Sequence, residues 1–362
     1  MTPARWRQLA VVFRLELVRT FSLRRSWWIY LLALAPLGLV AIYGAQVHNL
    51  AAQRAAWMAQ GQRPLTDADF EALQKGMTTA QVEHLLGSPS DRSERKVERR
   101  GRLVHRFVYF RYATQDATHY LVLRDGNLSS WERRSAPTFA DSSRVFASIY
   151  QFFTLRLVVF FACLGLFLRL FRGEMLDRSL HYYLLAPLRR EIVLAGKFLA
   201  GLVAAIVILG GSVTLQIYFL GLQLDPMARA QFLTVQHGWA QLGAYIGVTA
   251  LACLGYGAFF LVVGMFVRNP IIPAAVLLVW EAINPFLPSL LRHISIIFYL
   301  TGLLPVRLAS APGTSALFAL LATSGNVLAA GWDVLGVVVA TTLLLWLAAW
   351  RVRRLEIDYA SE

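Results

Sequence analysis

The sequence predicts a membrane all-α protein of about six transmembrane helices, with a small soluble α+β domain spliced between the first two. Three observations lead there. Apolar residues make up 57% of the 362-residue chain, charged residues only 15%, and mean hydropathy is +0.52. A water-soluble surface needs more charge than that, and a lipid-facing one needs almost none. Several apolar runs reach the roughly 20 residues that a bilayer core demands of a helix. Between the first two of them, residues 50–145 hold most of the chain's acids and alternate polar with apolar positions as a globular domain does.

The formal net charge of +14 has a topological explanation, because basic residues collect at cytoplasmic loop ends and set orientation. No groove-reading motif accompanies it, so no nucleic-acid partner is expected. Cys163 and Cys253 both fall in apolar runs, outside any CxxC or Cys/His cluster. Neither a metal site nor a disulfide framework is expected from them.

The first segment, 1–49, carries a surface helix and the first span. Trp6, Leu9, Ala10, Phe13 and Leu17 recur at helical spacing, with Arg7 and Arg14 opposite. Such a helix anchors on membrane lipid, its arginines toward anionic headgroups. The first span, about 27–46, opens on Trp27, Trp28 and Tyr30 and exceeds a signal peptide's core, which reads as a retained anchor.

In 50–145, the sequence predicts a helix over 66–74 capped by Thr66 and a second, capped by Thr78 or Thr79, ending at Gly87 before Pro89. Three strands follow at Val104–Tyr112, Thr118–Arg124 and Leu128–Arg133, the last two joined by an Asp125-Gly126 hairpin turn. The expected domain is two helices and a three-stranded antiparallel sheet.

Residues 146–362 supply the remaining spans, at about 147–171, 192–220, 240–267, 271–288 and 333–350. Their basic ends alternate onto one side, which puts both termini in the cytoplasm and 50–145 outside. Residues 289–331 carry apolar runs broken by Pro305, Pro312, Gly313 and Gly325. Re-entrant or interfacial helices on the outer face fit that pattern.

Two groups of polar residues stand out. In the cytoplasmic loop 172–190, Glu174, Asp177, Arg178 and His181 follow helical spacing as one polar stripe. Leu176, Leu180, Tyr183 and Leu184 oppose it, and Pro187 with Arg189 and Arg190 ends the helix. An ordinary surface helix in a basic loop has the same pattern. Arg156 and Glu281 fall mid-span, where charge is expensive and faces a partner or a wet cavity. They are expected to approach each other directly or through a neighbour such as Asn284. The alternative is that Arg156 snorkels outward while Glu281 caps a broken helix.

Glu174, Arg178-Ser179-Leu180, Leu184-Leu185-Ala186-Pro187, Arg190 and Gly196-Lys197 together resemble the loop signature of ABC-2 type ABC transporter permeases, with Ser179 where Thr is usual. Trp280-Glu281, then Leu290 to Ile296 and Tyr299, resembles a later stretch of the same family. The resemblance implies an ABC-2 exporter-like arrangement in a bacterial inner membrane, with 174–188 a coupling helix that docks on cytoplasmic ABC ATPase subunits. It further implies a second permease copy or paralogue, and ATP and Mg bound by the ATPase rather than by this chain. Gly196-Lys197 agrees, since Phe198 follows and no glycine-rich phosphate loop precedes it.

The insert has its own resemblance. Gly76, Met77, Thr78, Val82, Leu86, Gly87 and Pro89, within Lys75–Pro89, are similar to the motif of the SmpA/OmlA (BamE-like) domain. That implies an extracytoplasmic binding module with an extracytoplasmic protein as its partner, and binding rather than catalysis is expected, since no nucleophile–base constellation accompanies it.

A transporter subunit is therefore expected, with no catalytic or metal-binding residue. An envelope scaffold acting through the insert is the rival. An intramembrane protease fits poorly, because Ser212 of Gly210-Gly211-Ser212 lacks a following Gly and a well-placed His.

Overall fold

The computed structural model describes residues 3–22, 27–58, 65–99, 102–114, 117–135, 139–173, 189–222, 233–234, 237–267, 269–306, 308 and 330–354. Two compact units divide the chain, one of Met1–Ala41 with Ser143–Glu362 and one of Ile42–Ser142. Helix α1 (Pro3–Ser22) and helix α2 (Trp27–Met58) lead in. The apolar part of α2 that could cross a membrane runs Trp27–Gln53, past the expected limit near residue 46, and Pro36 is accommodated inside the helix.

The smaller unit contains α3 (Asp67–Glu71) and α4 (Thr79–Leu86), then strands β1 (Asp91–Arg99), β2 (Arg102–Ala113), β3 (Ala117–Arg124) and β4 (Asn127–Ser135). Both helix starts follow their capping residues. The Thr66 backbone donates to Asp69 Oδ2 (2.7 Å) and the Thr78 backbone to Gln81 Oε1 (2.9 Å), reciprocal bonds that satisfy otherwise orphaned donors. Asp125 and Gly126 both adopt positive φ, +52° and +88°, as a two-residue hairpin requires.

The sheet has four antiparallel strands in the order β1-β2-β3-β4, rather than three. The additional strand reads DRSERKVER, whose charges hide the period-two signal of a strand. It is an edge strand with Asp91–Val97 exposed, and edges are where charge is tolerated and even useful. Ion pairs to β2, Arg106–Glu94 (2.6 Å) and Arg111–Asp91 (3.2 Å), accompany its pairing. One sheet face closes over the helices with Val82, Leu86, Phe110, Tyr112, Leu121 and Leu123 buried.

In the helical unit a composite helix runs as α5 (Phe139–Ser148), a π-helical stretch (Ile149–Val158), α6 (Val159–Leu168) and a π-turn (Arg169–Gly173). Helices α7 (Arg190–Gly221), α8 (Gly238–Phe266), α9 (Ile271–Ile283), α10 (Ser289–Arg292), α11 (Ile296–Gly302) and α12 (Ala330–Arg353) follow. Among the described residues, five helices are long and apolar enough to cross a membrane: Trp27–Gln53, Asp141–Leu168, Arg190–Gly221, Gly238–Phe266 and Ala330–Arg353. The sixth expected span is shorter. It comprises α9 and a 3-10 turn, Asn284–Phe286, and stops where Pro285 and Pro288 deny the backbone its donors. Of 289–331, the described part forms the short helices α10 and α11, and 309–329 lie outside the described residues.

The core of this unit is an aromatic and aliphatic seam. Phe160 meets Tyr256 and Phe260 edge to face at 5.7 and 5.1 Å. Tyr150, fully buried, donates its hydroxyl to the Tyr245 carbonyl (3.0 Å) and lies 2.8 Å from Thr249 Oγ1. At Gly257 an added Cβ would stand 2.6 Å from the buried Phe167 ring. Gly257→Ala is therefore expected to cost ~1–3 kcal/mol by overpacking, read as a lower thermal midpoint in detergent.

The smaller unit should weaken in acid. His119, 3% exposed and stacked on Phe70 with 3.5 Å between ring centroids, has its pKa lowered by burial even though Asp67 lies 3.2 Å away. The hydrogen bond from Arg133 holds the Asp67 carboxyl below its usual value. Both groups take up protons less readily folded than unfolded, so stability is complete above the ordinary histidine value of about 6.5. It falls as pH drops through the folded value of His119 and, in stronger acid, of Asp67. Hydrogen-exchange protection of β3, corrected for intrinsic rate, should decrease from about pH 7 to pH 5, and His119→Gln should flatten that decrease.

Candidate functional site

Two clusters of ionisable residues sit in the helical unit. The first brackets the loop that the sequence singles out. Glu174, Asp177, Arg178, His181 and Pro187 lie outside the described residues, but the helix that follows the loop is described. Arg189 is its N-cap, and its carbonyl accepts from the Ile192 and Val193 amides. Arg190 Nη1 donates to the carbonyls of Arg353 (3.3 Å) and Val352 (3.5 Å), which suits a guanidinium at a helix C-terminus. Glu191 pairs with Arg353 at 2.6 Å. The start of α7 and the end of α12 are thereby held together.

The same end of α7 holds α1. An added Cβ at Gly196 would come within 2.8 Å of Val12 Cγ1, so a glycine there permits the close approach of the two helices. One turn of α1 further on, Glu16 meets Lys197 at 2.6 Å. Both side chains are buried, 4% and 0% exposed. Trp6, Arg7 and Arg14 lie on exposed positions of α1, with Trp6 59% exposed. The sequence marks Lys197 as the residue that opens a span within the permease-like signature, without a partner for it. Its partner had a signal, since Glu16 is the single acid in α1 and falls one helical turn from the buried Val12.

The second cluster surrounds Glu281. Its carboxylate accepts from Ser295 Oγ and from the Ile296 and Ile297 amides, each at 3.1 Å. These amides open α11, so Glu281 caps the N-terminus of a helix that begins inside the apolar unit. Glu281 thus caps a helix other than its own, while Arg156 keeps its Nε buried rather than snorkelling outward. Arg156 forms no ion pair with Glu281 or another acid among the described residues. It lies within coulombic range of both Glu281 and Tyr256. Its Nε is buried without an acceptor, and its guanidinium stands 5.5 Å over the Phe152 ring. Asn284 does not bridge the two. Its Nδ2 donates to the Arg292 carbonyl (3.3 Å), while Arg292 in turn donates to the carbonyls of Leu287 and Pro285, both at 2.7 Å.

The insert's motif residues are fold-determining. Gly76 has φ +93° and donates its amide to the Leu128 carbonyl (2.9 Å), while the Leu128 amide returns to Met77 (2.7 Å). Thr78 caps α4, Val82 and Leu86 are buried, and the Gly87 carbonyl accepts from the Tyr112 hydroxyl (2.9 Å). Pro89 is half-buried between α4 and β1. Among the described residues, no three His, Cys, Asp or Glu side chains converge as a metal site. No protein-family profile and no curated protein matches the chain.

Removing either partner of the Glu16–Lys197 pair breaks a buried, charge-assisted contact, at a cost on the order of 1.5–3 kcal/mol. Lys197→Met and Glu16→Gln should each lower the thermal midpoint. The double variant should recover most of the loss, which a double-mutant cycle measures directly.

Proposed function

We propose that this chain is the membrane-spanning subunit of an ATP-driven exporter of ABC-2 type, driven by a separate cytoplasmic ATPase that grips the loop 172–190. The observation that carries the reading is the fastening of α7 immediately after that loop. Gly196 and Lys197 fix α1 to it, while Arg190 and Glu191 fix the end of α12. A force applied at 174–188 would reach three helices at once rather than dissipate in a free loop. Levers of this kind tip a bistable bundle between two accessible states.

The polar stripe of Glu174, Asp177, Arg178 and His181 offers the ATPase charged partners, with Pro187 ending the docked segment. On this reading α1 lies on the cytoplasmic leaflet with Trp6, Arg7 and Arg14 at the lipid, both termini are cytoplasmic, and the Ile42–Ser142 unit is outside a bacterial inner membrane. A second copy or paralogue completes the pathway, and ATP with Mg binds on the ATPase. The insert, BamE-like in its motif, serves as an extracytoplasmic protein-binding module.

Charge reversal tests the coupling role. Glu174→Lys and Asp177→Lys should each abolish co-purification of the ATPase and nucleotide-dependent transport in vesicles, with the thermal midpoint of the purified subunit unchanged. An intact ATPase complex in both variants would sink the assignment.

A further inference from the structure

The exporter reading leaves its cargo unnamed, and one side chain narrows it. Arg156 sits on the π-helical stretch Ile149–Val158, in a helix long and apolar enough to cross a membrane. Its guanidinium carries a permanent charge, because arginine does not give up its proton in proteins. Inside an apolar unit such a charge needs an acceptor or an anion. Among the described residues Glu281 acts on it only at coulombic range, without an ion pair, and Nε is buried with no hydrogen-bond partner.

Glu281 is the obvious counter-ion, yet its carboxylate is already committed. Ser295 Oγ and the amides of Ile296 and Ile297 occupy it, and the positive end of α11 offsets its charge. The balance of Arg156, Glu281 and that helix terminus is therefore net positive. The π-helical geometry is a second, independent observation. Its i to i+5 bonding, seen in the Val159 amide donating to the Thr154 carbonyl, is uncommon and concentrates at functional sites. Apart from Tyr256 and Glu281, one side of Arg156 on its own helix is apolar: Phe152 lies under the guanidinium, Phe153 is half-buried, and Leu157 is 37% exposed.

We propose that Arg156 is a binding residue for the anionic headgroup of an amphiphile, a phosphate or carboxylate on an apolar chain. The planar guanidinium can present two parallel donors to such a group. The apolar chain lies along the Phe152, Phe153 and Leu157 side of the helix. This rests on the exporter reading and names the class of its cargo.

The test uses the full chain in a nonionic detergent and three probes: dodecyl phosphate, dodecylphosphocholine and inorganic phosphate. The two amphiphiles share a tail and differ in net headgroup charge. Dodecyl phosphate should bind at least about tenfold more tightly than dodecylphosphocholine, a difference that native mass spectrometry or thermophoresis resolves. Arg156→Gln should erase that preference, and Arg156→Lys should keep part of it. Equal affinity of the wild-type chain for both amphiphiles overturns the proposal, even if Arg156→Gln does not fold. So does a preference that survives in a folded Arg156→Gln chain. Should that variant lose stability that Glu281→Gln restores, with headgroup preference unchanged, Arg156 serves only as a counter-ion and the proposal fails. Inorganic phosphate competing as well as dodecyl phosphate would make the ligand a free anion and would overturn the amphiphile assignment. The ATPase is absent from these measurements, so their failure leaves the coupling test untouched, and Glu174→Lys should bind dodecyl phosphate as the wild-type chain does.

Discussion

A helix that begins within an apolar body leaves amide groups that water cannot reach, and each one left unmet costs free energy. Helix α11 is in that position, and the Glu281 carboxylate is what makes it tolerable. Much of the surrounding architecture follows from this contact. The chain can break after Phe286, turn through Ser289–Arg292 and restart at Ile296 only because the restart has an acceptor waiting. The opposite end of the break is met by Arg292, which donates to two carbonyls that the prolines leave open. Irregular backbone inside an apolar body survives only where such partners exist. With the break satisfied, α11 lies against α8 and α12, where Ile296 fits the gap above Gly255 and Tyr299 the gap at Gly336.

The Glu16–Lys197 pair solves a different problem by the same means. Here the polar groups are not structural necessities of the backbone. A well-packed apolar pair at that contact would hold α1 to α7 at least as well, since desolvation offsets most of the gain from burying an ion pair. What the pair adds is register. With Gly196 in contact with Val12, the pair fixes which turn of α1 meets which turn of α7, and a slip would break the contact. Fixing register matters most for an element that transmits displacement.

The long helices were legible because apolar runs of that length have few other homes, and the ends of three of them fall within about three residues of their sequence limits. The Asp125-Gly126 hairpin and the Thr66 and Thr78 caps were equally legible, each being local chemistry with a local cause. What the sequence concealed depends on partners distant along the chain. Strand β1 has no apolar alternation of its own and exists because β2 offers a ladder. Glu16 finds Lys197 across 181 positions. Composition did mark Glu281 as anomalous, but only the fold decides between Arg156 and the start of α11 as its partner, and the nearer donors prevailed.

The ionisable side chains buried in the helical unit can be ordered by how each is neutralised. Glu16 and Lys197 answer each other, and Glu281 is answered by donors and a helix terminus. Asp333 is fully buried beside Gly302 with both oxygens unpartnered among the described residues, and Arg156 has an unpartnered Nε. These last two differ in kind. A carboxyl group can shed its charge by keeping a proton, so an isolated aspartate does not by itself require a ligand. A guanidinium has no such recourse at any pH a cell meets. An arginine whose Nε has no acceptor among the described residues still calls for an anion, whereas an aspartate in the same position can be satisfied by a proton. That asymmetry is why Arg156, and not Asp333, points to what the protein binds.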